Sequence, residues 1–213
     1  MLPFLAFIMS AQAQQSAAPT VTFNCDFPGS DPAHYAISVS SDGHASYISN
    51  GKLTRDSDSD EPFTIDFTMP PATLAQVFEL TKKAHYFEGD IDFKKKNIAS
   101  TGEKTLTYKD AQRTTSATYN YSTVPAVQEL TALFQNLSST LEYGRRIQYD
   151  HRYQKLALDE ELKRMDDASS RGELADVTVI APILKKIVDD PSVVNTARAR
   201  AQRLLEHAGP AGK

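Results

Sequence analysis

At Val124 the hydrophobic pattern changes its period, and no other feature of the 213-residue chain constrains the fold as strongly. Upstream, apolar side chains recur at every second position, as in a half-buried strand; downstream they recur every three or four, as along one helix face. Phe63, Ile65, Phe67 and Met69 alternate with Thr64, Asp66 and Thr68. Val127, Leu130, Phe134, Leu137 and Leu141 step by three and four instead, which puts all five on one stripe. A strand-rich region followed by a helix-rich one predicts an α+β fold, not an alternating parallel one.

The strand-rich region reads as a head domain over 34–143. Tyr35, Ile37 and Val39 form a first strand, and Asp42-Gly43 marks a two-residue hairpin turn. That turn pairs Ser41 with His44, Val39 with Ser46 and Ile37 with Ile48, so Tyr35, Ile37, Val39 and Ile48 share a buried face. The Phe63–Met69 strand ends at Pro70-Pro71, and Pro71 opens a helix, where its missing amide hydrogen costs nothing. Ile65 and Phe67 are predicted to be core residues facing Leu74, Val77 and Phe78 of that helix. A second hairpin joins Leu106 and Tyr108 to Ala117, Tyr119 and Tyr121. The predicted sheet is antiparallel, of about five strands, with one face covered by helices.

Beyond Val124 the chain reads as a long helix and a small helical tail. The apolar stripe lapses at Gly144, Gln148, His151 and Lys155, then recovers at Leu158, Leu162 and Met165. Either one helix continues to Ala168, roughly 68 Å long at 1.5 Å per residue, or it kinks near Gly144 and turns Tyr149, Tyr153 and Leu156 inward. Leu174, Val177, Ile180, Leu184 and Ile187 mark a further amphipathic helix. Asp190-Pro191 has the form of a capped start for a last one. Residues 144–213 are therefore read as connector and tail.

The opening residues carry an address rather than a fold. Leu2 to Met9 is apolar and is followed by Ala11-Gln12-Ala13, the pattern of a signal peptide over 1–13 cut before Gln14. No Lys or Arg precedes the run. It is much shorter than the ~20 residues that span a bilayer, so no stable membrane anchor is predicted. Residues 14–33 read as a flexible leader. The expected location is periplasmic or secreted. Cys25 is the only cysteine, so the fold must rest on its apolar core, with Cys25 itself buried near Val21, Phe23 and Phe27. Net charge is −4, which gives no case for a nucleic-acid partner.

Motifs for chemistry fail on inspection. Asp56-Ser57-Asp58-Ser59-Asp60 starts like a calcium loop, but Glu61 and Phe67 stand where an EF-hand needs Gly and Glu. His34 and His44 fall roughly 23 Å apart along the hairpin at ~3.3 Å per residue, too far to share a metal. No thiolate zinc cluster, nucleophile elbow or phosphate-binding glycine loop occurs. No catalytic residue, metal ligand or cofactor site is assigned. Asp90 and Asp92 are the one carboxylate pair of note.

The most unusual composition lies from Tyr143 to Lys155, where three tyrosines share thirteen residues with five Lys, Arg and His side chains. On a helix Arg145, Tyr149 and Arg152 form one strip, with Arg146 beside Tyr153 one face over. Tyrosine and arginine dominate binding hot spots because they combine area with hydrogen bonds. These five residues are the candidate site for a protein partner.

The segment from Leu141 to Met165, Asp190-Pro191-Ser192-Val193, and Ala197-Arg198-Ala199-Arg200-Ala201 resemble exported proteins of unassigned role from environmental bacteria. The order of elements in the head is similar to that of small secreted bacterial domains. The resemblance implies export and supplies no activity or site residue. The sequence is thus read as a secreted or periplasmic, non-enzymatic interaction protein. Two alternatives stay open: a hydrolase using carboxylates of the 50–61 and 88–92 loops, and a small-ligand-binding module with a pocket between sheet and helix.

Overall fold

The computed structural model describes residues 18–208 except 55, 56, 58, 96 and 97. The proposed signal peptide and the aspartates Asp56 and Asp58 lie outside the described residues. The fold is α+β, with six antiparallel strands in one sheet. They are β1 (Thr20–Asp26), β2 (His34–Ser40), β3 (His44–Gly51), β4 (Glu61–Thr68), β5 (Glu103–Lys109) and β6 (Thr114–Tyr119). Their order across the sheet is β4-β3-β2-β1-β5-β6.

One strand more than expected is present, and it is central. Residues 14–33 do not form a flexible leader throughout, because β1 pairs with β2 on one side and β5 on the other. Val21, Phe23 and Cys25 point into the core while Thr22 and Asn24 stay half-buried on the other face. This is the same period-two signal as elsewhere, in a run short enough to be taken for the end of a polar leader.

The first hairpin is shifted by one residue from the predicted register. Val39 lies opposite Ala45 and Ile37 opposite Tyr47. The loop holds three residues, Ser41-Asp42-Gly43, with Gly43 at φ +91° donating its amide to Ser40 O at 2.9 Å. Asp42 Oδ1 accepts the amide of His44 at 3.0 Å, and three-residue loops ending in a positive-φ glycine are a standard alternative to two. A slip of one exchanges the faces. Ile48 is 51% exposed, while Ala45, Tyr47 and Ser49 face inward.

The Phe63–Met69 strand, the most regular in the sequence, is the edge strand β4. Phe63, Ile65 and Phe67 pack against the core without being closed over. A clean alternation records one face in water along the whole strand, and an edge satisfies that condition best.

Helix α1 (Pro71–Lys83) starts at Pro71 as predicted and buries Val77, Leu80 and Thr81. Helix α2 (Pro125–Tyr153) is a single helix of 29 residues. Its Val127, Leu130, Phe134, Leu137 and Leu141 are all buried in the sheet core, with Phe134 stacked on Phe23 at 5.3 Å. The helix neither kinks at Gly144 nor runs on to Ala168. It ends at Tyr153, and α3 (Leu158–Ser170) begins after a short turn with Asp159, Glu160 and Glu161 in its first turn, where acidic side chains favour the helix N-terminus.

The remaining helices are α4 (Ala181–Asp189), preceded by a 3-10 turn at Val177–Ile180, and α5 (Asn195–Ala208). The last helix starts at Asn195 and not at Pro191. Asp190 instead caps a turn by accepting the Ser192 amide at 2.9 Å. Ile147 of α2 joins Leu158, Leu162, Met165, Ile180, Leu184, Ile187, Ala197, Ala201 and Leu204 in a second core. Helix α2 therefore serves two cores, with Gly144 between Leu141 of the first and Ile147 of the second. A Cβ at Gly144 would sit 2.6 Å from Ile180 Cγ2, so the glycine lets the 3-10 turn lie against the helix.

Candidate functional site

The basic-aromatic half of α2 divides into an inward pair and an outward group. Arg145 is 7% exposed. Its Nη2 donates to Glu61 O at 3.0 Å, its Nη1 lies 3.7 Å from Glu142 Oε2, and its guanidinium stands 5.0 Å from the Phe63 ring centre. It ties α2 to the edge of the sheet. Arg146 is also buried; its Nε donates to Glu161 Oε1 at 2.6 Å, across the turn to α3. Two of the five candidate residues, Arg145 and Arg146, are therefore not available on the surface, because both are held by carboxylates of the chain's own helices.

Glu142 completes the inward network. Its Oε1 accepts hydrogen bonds from Tyr47 at 2.8 Å and Ser49 at 2.6 Å, and Tyr47 also meets Ser138 at 2.9 Å. Burial, together with the Glu142 charge, raises the Tyr47 phenol above its ordinary pKa. A buried carboxylate is tolerable only with such donors around it. Nothing in the 3.6-residue pattern signals this network, although Glu142 and Arg145 stand at i,i+3.

The other three residues of the candidate site come together at the end of α2. Tyr149 is half-buried, and Arg152 and Tyr153 are exposed. The Tyr149 and Tyr153 rings lie 5.0 Å apart, and Arg152 stands 5.2 Å from the Tyr153 ring centre. Tyr153 is 62% exposed and Leu156, in the turn that follows, 92%. Of the two expected courses for the helix, a kink at Gly144 would have turned Leu156 inward with the tyrosines; the structure leaves it on the surface. This corner between α2 and α3 is anchored from behind. Asp190 accepts hydrogen bonds from His151 Nε2 at 2.9 Å and Lys155 Nζ at 2.8 Å. The Lys155 bond, then those of Ser192 and His151, hold the Asp190 carboxyl well below the usual carboxylate range.

Two clefts flank Arg146. One, about 380 Å³, lies between the end of β1, the following loop and α2, with Cys25, Tyr35, Ser138 and Glu142 on its walls. Cys25 is buried, and burial pushes its thiol pKa up, the opposite of what a reactive cysteine needs. The other, about 310 Å³, lies between the end of α2 and the start of α3 and includes Asp150, Glu160 and Glu161.

Among the described residues, the carboxylates assigned to a hydrolase do not come together. Glu61 opens β4 at one edge of the sheet, whereas Asp92 accepts the amide of Asn120, just past β6 at the other edge. Five strand spacings of about 4.8 Å separate those edges by about 24 Å. Asp90 is engaged by Lys94 at 2.6 Å on the surface. His34 and His44 stand at opposite ends of the first hairpin, and His34 meets Asp26 at 2.6 Å. Among the described residues no three His, Cys, Asp or Glu side chains are placed to share a metal ion, and no helix is long and apolar enough to cross a membrane.

No protein-family model matches this chain, and no curated protein matches it.

Proposed function

We propose that the chain is an exported, non-enzymatic interaction protein that holds a protein partner at the corner between α2 and α3. The observation that carries this reading is the exposure of Tyr153 and Leu156 beside Arg152 on a corner that His151, Lys155 and Asp190 hold in place. Tyrosine and arginine together are the residues enriched in binding hot spots, and Leu156 adds exposed apolar area beside them. The partner fitting it presents an apolar pocket for Leu156 and Tyr153 with acidic side chains at its rim for Arg152. Export rests on the apolar run and Ala11-Gln12-Ala13.

A photo-crosslinking residue placed at Tyr153, with a control at the exposed Gln202 of α5, tests this in the envelope of the native host. The expected result is one discrete adduct at position 153, absent at 202 and lost when Leu156→Asp is added. Equal labelling at both positions, or an adduct of twice the chain's own mass, would overturn it.

A further inference from the structure

The cleft on the α3 side of Arg146 contains a carboxylate with no hydrogen-bond partner among the described residues. Asp150 is 7% exposed, yet its side chain makes no hydrogen bond or ion pair with any described residue. Buried polar groups are nearly always bonded, and one that is not calls for an explanation. The neighbouring charges are already matched. Arg146 is joined to Glu161 at 2.6 Å, and Arg164 reaches Glu160 at 3.3 Å and Glu161 at 3.5 Å. Among the described residues Asp150 is the carboxylate of the cleft with no hydrogen bond or ion pair, although the charge of Arg146 acts on it.

We propose that this cleft binds a primary ammonium group, with Asp150 as its charged partner and Thr54 and Gln154 as neutral acceptors beside it. The lining residues all border one space of about 310 Å³, larger than a bare ion fills. An ammonium has three donors and no acceptor, which suits a wall offering one carboxylate, one hydroxyl and one amide oxygen. A divalent cation would need several oxygen ligands, and two of the three carboxylates here are held by arginine. Burial, and then the charge of Glu161, push the Asp150 carboxyl up to about 6 against the opposing pull of Arg146. Supplying a cation would reverse that.

The measurement is an NMR titration of the Asp150 carboxyl carbon in the whole purified protein, alone and with 1,4-diaminobutane, Nα-acetyl-lysine amide or calcium chloride. A bound ammonium should lower the midpoint by a unit or more, a tenfold or greater preference of the ligand for the ionised carboxyl. A shift with the diamine alone identifies a free amine as the ligand. A shift with the lysine amide as well identifies a lysine side chain as a competent source. Asp150→Asn should abolish calorimetric binding of the diamine while the circular dichroism spectrum stays that of the folded protein. A midpoint that neither amine moves, one that only calcium moves, or undiminished diamine binding by Asp150→Asn would overturn the proposal.

Discussion

The two halves of α2 use one helix in opposite ways. From Val127 to Leu141 the helix presents an unbroken apolar stripe to the sheet, and every residue of that stripe is buried. From Glu142 to Tyr153 it buries Ile147 in the second core, inserts Glu142, Arg145, Arg146 and Asp150 into polar surroundings, and exposes Arg152 and Tyr153. An interrupted stripe therefore marks a change of neighbour here before it marks a surface. The first half meets one flat sheet. The second meets the sheet edge, α3 and the turn before α4 in succession, and a single apolar seam cannot serve all three.

The largest effect expected from this contrast is in the apolar half. Phe134→Ala should cost about 3–5 kcal/mol in urea melts, as deletion of a packed core aromatic does. A loss under ~1 kcal/mol would mean the stripe is not the centre of the head.

In the polar half the same measurement should give the opposite sign at Asp150. Its folded pKa of about 6 exceeds the unfolded carboxylate value near 4, so the folded state holds the proton more tightly. The stabilisation from protonation is complete below about pH 4 and is lost as the pH rises through 6. At pH 7 the charged form is a liability. Asp150→Asn should therefore raise stability at pH 7, by up to about 3 kcal/mol at 1.36 kcal/mol per pKa unit, and flatten the fall between pH 4 and 6. An unchanged pH profile would place Asp150 in solvent.

The junction of the halves should be sensitive to a single carbon. Gly144→Ala forces a methyl against Ile180, and overpacking of that kind costs typically ~1–3 kcal/mol. A neutral result would mean that the turn before α4 yields freely. The smallest effect belongs to the corner. Tyr153→Ala and Leu156→Ala should each stay within ~0.5 kcal/mol of the parent protein, as exposed substitutions do.

Much of the fold was legible in the sequence because it rests on periodicity. The Phe63–Thr68 strand, the Pro71 helix start and the Val127–Leu141 stripe all lie where their spacing put them, whereas Leu158, Leu162 and Met165 share a buried face on a separate helix. Strand β1 was obscured because only Val21, Phe23 and Cys25 alternate, next to a polar stretch. The hairpin register was missed because Asp-Gly is compatible with loops of two or three residues, and only backbone hydrogen bonding chooses between them. The candidate site was half legible. Composition drew attention to Tyr143–Lys155, but nothing local distinguishes an arginine that meets Glu161, fifteen residues away, from one that meets water. That distinction depends on how α3 folds back, which is tertiary information.

The central claim is that α2 commits its first arginines to the fold and leaves its last one on the surface. Urea unfolding of Arg146→Ala beside Arg152→Ala tests it most directly. Removing Arg146 takes away the closest partner of the buried Glu161 carboxylate, at 2.6 Å, and leaves Arg164 at 3.5 Å, so the loss should approach the ~3–5 kcal/mol typical of a broken buried pair. Removing the exposed Arg152 should stay within ~0.5 kcal/mol. Equal, small losses for the two variants would contradict the division.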